Sequence, residues 1–212
     1  EPGSHDPVTE VDFIEEELNE WIIGIIKRNW ESIQRRSRSP DFEFEAALTD
    51  VLSGLGVRSA DVVATLRDIS YESDPFAWSD EDKRTLGIQL RERTKPIVLV
   101  ANKIDTAPSG IIEELSGGGR SVIPVTAEGE LALRNARDAG IVQYDPGDAS
   151  FEITGDVTTE QRAGLETIRG VFDSYGGTGV QTAINTAVYE VLELITAYPV
   201  ENESQWTDGQ GN

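Results

Sequence analysis

Pro96-Ile97-Val98-Leu99-Val100-Ala101-Asn102-Lys103-Ile104-Asp105 is the stretch on which the fold turns. An unbroken apolar run of this length predicts a short strand buried on both faces of a parallel sheet, because a strand with one wet face would alternate. A second run of the same kind, Ser121-Val122-Ile123-Pro124-Val125, follows a short helix expected at 111–115 and a Gly117-Gly118-Gly119 turn. Helices are predicted over 128–139, 159–175 and 179–196. Thr158 with Gln161, and Thr178 with Gln181, stand at capping-box spacing. Strands alternating with helices across short links are α/β grammar. Two strands do not complete such a sheet, so residues 94–197 are expected to be part of a domain.

Upstream of this stretch the apolar period becomes helical. Val11, Ile14, Leu18, Trp21, Ile22, Ile25 and Ile26 recur three and four apart with acids between them. Thr9 as cap, with Asp12 three residues on, predicts a helix from 9 to about 36, stopped by Ser39-Pro40. Further helices are expected at 44–52, ended by Gly54 and Gly56, at 60–69 behind Ser59, and at 80–93 behind Ser79 with Asp82. Residues 9–93 therefore read as all-helical, with Trp21 and Trp30 as core. Residues 1–8, rich in Pro, Gly and Ser, read as a loop. The Gly-rich residues 198–212 read as a linker or the start of another module.

The 212-residue chain has no cysteine and one histidine, His5, which excludes disulfides, thiolate or histidine metal sites and Ser-His-Asp chemistry. No apolar run approaches the roughly 20 residues of a membrane span, and no secretion leader opens the chain, so a cytoplasmic location without a membrane partner is expected. Thirty-nine acids face 18 bases, a net charge of −21, and only Lys27, Lys83, Lys95 and Lys103 are lysines. At molar salt the Debye length shrinks to about 3 Å and screens the resulting self-repulsion. The composition therefore resembles that of a salt-in halophile, the alternative being an acidic mesophile protein.

The candidate chemistry sits where the first strand ends. In open α/β sheets ligands bind at the carboxyl ends of strands, and Asn102-Lys103-Ile104-Asp105 lies there. Guanine presents two adjacent donors, N1–H and the 2-amino group, which one ionised carboxylate accepts together. Adenine offers an acceptor and a C–H at the same place. Asp105 is thus the candidate for base identity. Asn102 is expected to tie the loop and reach the base's acceptor edge, and the stem of Lys103 to cover a base face. Thr126-Ala127-Glu128, at the end of the second strand, is the candidate loop whose amides approach the guanine O6. The bland alternative is a strand-end turn that only caps the next helix.

Taken together, these stretches resemble the fourth and fifth guanine-recognition motifs of P-loop GTPases. Lys95–Lys103, Ile123–Leu133, Tyr175-Gly176-Gly177-Thr178-Gly179-Val180-Gln181 and Ala197-Tyr198-Pro199-Val200 resemble the rear half of the G domain of Obg-related, YchF-type translation-factor GTPases, archaeal branch. Residues 9–93, with Lys27-Arg28-Asn29-Trp30-Glu31, resemble the helical insertion of that branch. The resemblance implies GTP or GDP as ligand and a helical insertion followed by part of a parallel sheet with flanking helices. It also implies ribosome or rRNA association. Many YchF-type proteins carry N-x-x-E and accept ATP, whereas this chain keeps Asp105. No G-x-x-x-x-G-K-[ST] occurs. The chain is therefore expected to be a fragment of a longer GTPase, lacking the phosphate-binding half that would hold Mg²⁺ and the carboxyl-terminal TGS domain. It would not be catalytic alone, and no residue is assigned a catalytic or metal-binding role.

Lys27, Arg28, Arg35, Arg36 and Arg38 gather five bases within twelve residues of an otherwise acidic chain. They are the candidate RNA contact, the alternative being helix-face ion pairs with Glu15, Glu16, Glu17, Glu20 and Glu31. The rival functional reading is a non-catalytic helical module that docks on ribosome or protein, with an incidental N-K-x-D.

Overall fold

A computed structural model describes residues 6–71 and 74–197. They form two compact units, one reaching to Ile97 and one from Val98 onward.

The first unit is built from four helices: α1 (Pro7–Arg36), α2 (Phe44–Leu52), α3 (Ser59–Ile69) and α4 (Asp80–Thr94). α1 starts two residues before the expected cap. Asp6, not Thr9, is the N-cap: its carboxylate accepts from Val8 N at 3.1 Å and from the Thr9 hydroxyl at 2.7 Å. Pro7 stands at N1, where its fixed φ suits the helix and its missing N–H costs nothing, so residues 7 and 8 are not loop. α3 likewise starts on Ser59 itself, with Arg58 as N-cap and the Asp61 carboxylate accepting from Arg58 N at 3.0 Å. α4 carries the expected capping box: Asp82 N donates to Ser79 Oγ at 3.2 Å and Ser79 N to the Asp82 carboxylate at 2.7 Å.

The core of this unit is an aromatic cluster on an aliphatic bed. Trp30 meets Phe44 edge-on at 5.9 Å, Phe44 stacks on Tyr71 at 5.7 Å, and Trp78 tilts against Trp30 at 5.2 Å. The Trp30 indole N–H donates to Pro75 O at 3.1 Å. Trp21 does not join them and is 49% exposed. It lies nine residues before Trp30, about two and a half helical turns, so the two rings leave opposite sides of α1. α4 presses close on α1 at Gly87, where a Cβ would fall 2.4 Å from Ile23 Cγ1. Leu48 is fully buried in this core. Leu48→Ala is expected to cost about 2–5 kcal/mol, read as a lower urea midpoint by tryptophan fluorescence.

The second unit pairs β1 (Leu99–Asn102) with β2 (Val122–Val125) in parallel, Leu99 opposite Val122 and Asn102 opposite Val125. The crossover holds a 3₁₀ turn (Ile104–Thr106), α5 (Ile111–Leu115) and a second 3₁₀ turn (Gly117–Gly119). The expectation of a strand buried on both faces fails for β1, since Val100 is 45% exposed. β2 is followed by α6 (Ala127–Asp138), then a hairpin not foreseen in the sequence, β3 (Val142–Gln143) with β4 (Glu152–Ile153), and α7 (Thr159–Tyr175). Strands of two residues are too short to show a period. Leu133, Val142, Tyr144, Phe151, Leu165, Ile168 and Phe172 form the core between these elements.

The last expected helix, 179–196, is cut short. α8 (Val180–Asn185) gives way to a π-helical turn (Thr186–Val191). Its expected Thr178 cap is absent: Gly179 precedes the helix in the left-handed region, and the Thr178 hydroxyl is spent on Glu130. Residues 198–212 and His5 lie outside the described residues. Among those described, no helix is long and apolar enough to cross a membrane.

Candidate nucleotide-base site

Both candidate loops leave the carboxyl ends of the paired strands, and Asn102 joins them. Its Oδ1 accepts from Lys103 N at 2.9 Å and from Ala127 N at 3.2 Å. The first bond closes its own turn and the second crosses to the other loop. Its amide nitrogen has no partner among the described residues.

Lys103 holds a left-handed backbone, φ 63° and ψ 36°, that a residue with a Cβ adopts at a cost of about 1–2 kcal/mol. The turn sustains it: Thr106 N and the Thr106 hydroxyl both donate to Lys103 O, at 3.1 and 3.2 Å. Ile104 anchors the turn from below, being buried. Its neighbours Lys103 and Thr106 are left exposed.

Asp105 is half-buried and lines a cavity of about 590 Å³, together with Thr126 and Glu128 from the second loop and Ala136, Leu165 and Ile168 from the flanking helices. No described residue donates a hydrogen bond to its carboxylate or pairs with it. A partly buried carboxylate without a donor is an open demand for one.

In the second loop Thr126 is buried and caps α6, its hydroxyl accepting from Gly129 N at 3.2 Å. Ala127 and Glu128 are exposed and begin the helix itself. Ala127's amide is taken by Asn102, so among the described residues the first-turn amide without a partner is that of Glu128. An unpaired N–H at a helix start suits an acceptor oxygen of a ligand.

Sequence reasoning passed over Glu130, Tyr144 and Thr178. Glu130 is a buried carboxylate that accepts from Thr178 Oγ1 at 2.5 Å, Tyr144 OH at 2.6 Å and Arg134 Nε at 2.7 Å. Burial works to raise its pKa, but the three donors outweigh burial and hold it below the usual carboxylate range. Burial, then the bond to Glu130, pushes the Tyr144 phenol up to about 12. An acid every few residues hides this one in the sequence.

The five candidate RNA-contact bases all lie on or just after α1 and are exposed. Arg36 pairs with Asp50 of α2 at 2.9 Å, and Arg28, Arg35 and Arg38 have no acidic partner among the described residues. Glu16 and Glu20, offered as their partners in the alternative reading, are taken by Arg84 of α4. Trp30, interleaved with these bases, is buried and offers no stacking face.

Residues 100–202 match the family described as Obg-like GTPase YGR210-like, G4 motif-containing domain. The chain is 36% identical over 212 residues to an uncharacterized GTP-binding protein of Methanocaldococcus jannaschii, covering 99% of this chain and 53% of that protein. It is 24% identical to an uncharacterized GTP-binding protein of Schizosaccharomyces pombe, covering 93% of this chain and 51% of that one. The crystal structure of a GTP-binding protein from Pyrococcus horikoshii OT3 superposes with a TM-score of 0.77 at 34% identity, over 94% of this chain and 54% of that chain. The chain thus spans about half the length of the relatives it matches.

Proposed function

We propose that the two strand-end loops hold the base of a guanine nucleotide, a reading supported by the match of residues 100–202 to the Obg-like GTPase YGR210-like, G4 motif-containing domain. The observation that carries this reading is the Asp105 carboxylate, half-buried, without a partner among the described residues and lining a cavity large enough for a purine. It accepts N1–H and the 2-amino group together. Asn102 braces the loops through Oδ1 and offers its amide nitrogen to the acceptor edge. The Lys103 stem covers a base face. Thr126 fixes the start of α6, Ala127 leaves room beside the ring, and the Glu128 amide donates to O6.

Phosphate contacts and Mg²⁺ fall to the part of the whole protein that this chain does not span, as does any hydrolysis, which rests on phosphate positioning and electrostatics. The chain then supplies the helical insertion and the rear half of the G domain of a YchF-type archaeal translation-factor GTPase. Its net charge of −21 fits a cytosol of molar salt. Titrating labelled GDP and ADP against the full-length protein in molar KCl tests the base reading: GDP is expected to bind more tightly, and equal affinities would falsify it.

The exposed, partly unpaired bases of α1 favour a second, compatible role, contact with ribosomal RNA. Arg35→Glu combined with Arg36→Glu is expected to weaken ribosome co-sedimentation of the full-length protein, and more so at low salt. Unchanged co-sedimentation removes this role.

A further inference from the structure

Glu130 occupies the first turn of α6 and is 5% exposed. An apolar side chain of similar volume would fill the same space without desolvating a charge. What a carboxylate adds is direction, since its three bonds hold only at particular positions of the donors. One of those donors, Thr178, is itself 4% exposed and is held twice. Its hydroxyl reaches Glu130 at 2.5 Å and its carbonyl accepts from Thr126 N at 2.9 Å. Thr126 is the residue before Ala127, whose amide reaches Asn102 at 3.2 Å. An unbroken path of short contacts therefore runs from Glu130 through Thr178 and Thr126 to Ala127 and Asn102. Its last bond stands at the long end of the N–H···O range, where a small displacement breaks it.

We propose that Glu130, acting through Thr178, is a positioning residue of the base site: it sets the Thr126–Ala127 backbone where Asn102 can join the two loops and leave Asp105 aimed at the base. This rests on the guanine reading above. The segment 176–179, which touches no base in that reading, thereby becomes a determinant of nucleotide affinity. Thr178→Val removes one hydroxyl and keeps the shape, Thr178→Ser restores the hydroxyl, and Glu130→Gln keeps an acceptor for Thr178 and Tyr144 but sets its NH₂ against Arg134 Nε.

The test uses the full-length protein and two readouts: amide hydrogen exchange without nucleotide, and affinities for GDP and ADP. Thr178→Val is expected to speed exchange at Thr126 and Ala127 about tenfold while amides of α2 and α3 keep their rates, and to weaken GDP about tenfold, the loss of roughly one hydrogen bond. ADP, which does not satisfy Asp105, should change little, so selectivity falls. Thr178→Ser should stay near wild type in both readouts, and Glu130→Gln, which loses the Arg134 bond, should fall between Thr178→Ser and Thr178→Val. Unchanged exchange at Thr126 and Ala127 overturns the linkage. Faster exchange with an unchanged GDP-to-ADP ratio overturns the positioning role and leaves only a structural one. A wild-type protein that binds GDP and ADP alike overturns the guanine reading instead, and is told apart because exchange in Thr178→Val still rises.

Discussion

Asp105→Asn should abolish the preference for guanine. The variant keeps one acceptor for N1–H but sets its own NH₂ against the guanine 2-amino group. Loss of a bidentate base contact costs about 1–3 kcal/mol, or roughly 5- to 150-fold in GDP affinity. ADP never satisfied the carboxylate and should bind as before. Xanthine carries a carbonyl where guanine carries the amino group, so xanthosine diphosphate should gain affinity for the same variant. Because Asp105 has no partner among the described residues, its replacement leaves no donor orphaned. The urea midpoint of the variant is expected to stay close to that of the wild type. A variant that still prefers GDP would remove Asp105 from the base site, whatever its stability.

The second large effect concerns stability. Gly179 has φ +78°, and a Cβ there would lie 1.9 Å from the carbonyl oxygen of Pro124 in β2. Gly179→Ala combines about 1–2 kcal/mol of left-handed strain with about 1–3 kcal/mol of overpacking. Neither the β2 carbonyl nor the backbone around 179 is the free end of a flexible side chain. The expected total, about 2–5 kcal/mol, is a large share of a domain's 5–15 kcal/mol. Gly176→Ala is the control: its φ is +78° too, but nothing lies within 4 Å of the added Cβ, so only the strain should appear. Far-UV circular dichroism against urea should show the difference. Equal losses in the two variants would mean that the contact with Pro124 does not constrain the segment.

Much of the helical architecture was legible because it rests on local chemistry. The Ser79–Asp82 and Thr158–Gln161 boxes satisfy their own helix starts, and the structure forms both. α2 and α7 fall on the expected residues. One misreading came where a distant group competed for a side chain. Thr178 stands at capping distance from Gln181, yet its hydroxyl belongs to Glu130, forty-eight positions earlier. Trp21 shares the apolar spacing of its helix, but it is left half-exposed. The β3–β4 hairpin is held by Ile141, Val142 and Ile153 around one small core, a pattern too short to announce itself.

At the candidate site the chain order alone determined which residues end the two apolar strands and which chemical types they offer: an amide, a lysine stem, a carboxylate, a small residue at a helix start. That much is local, because a strand's end and a helix's cap are set by neighbours a few residues away. The tertiary structure decided what those groups do with one another. It gave Asn102 to the Ala127 amide, left Asp105 without a partner among the described residues over a cavity, and set a buried acid beneath the second loop. Such choices depend on which donors reach which acceptors across the fold, and a hydrogen bond between residues twenty-five or forty-eight positions apart leaves no period in the sequence.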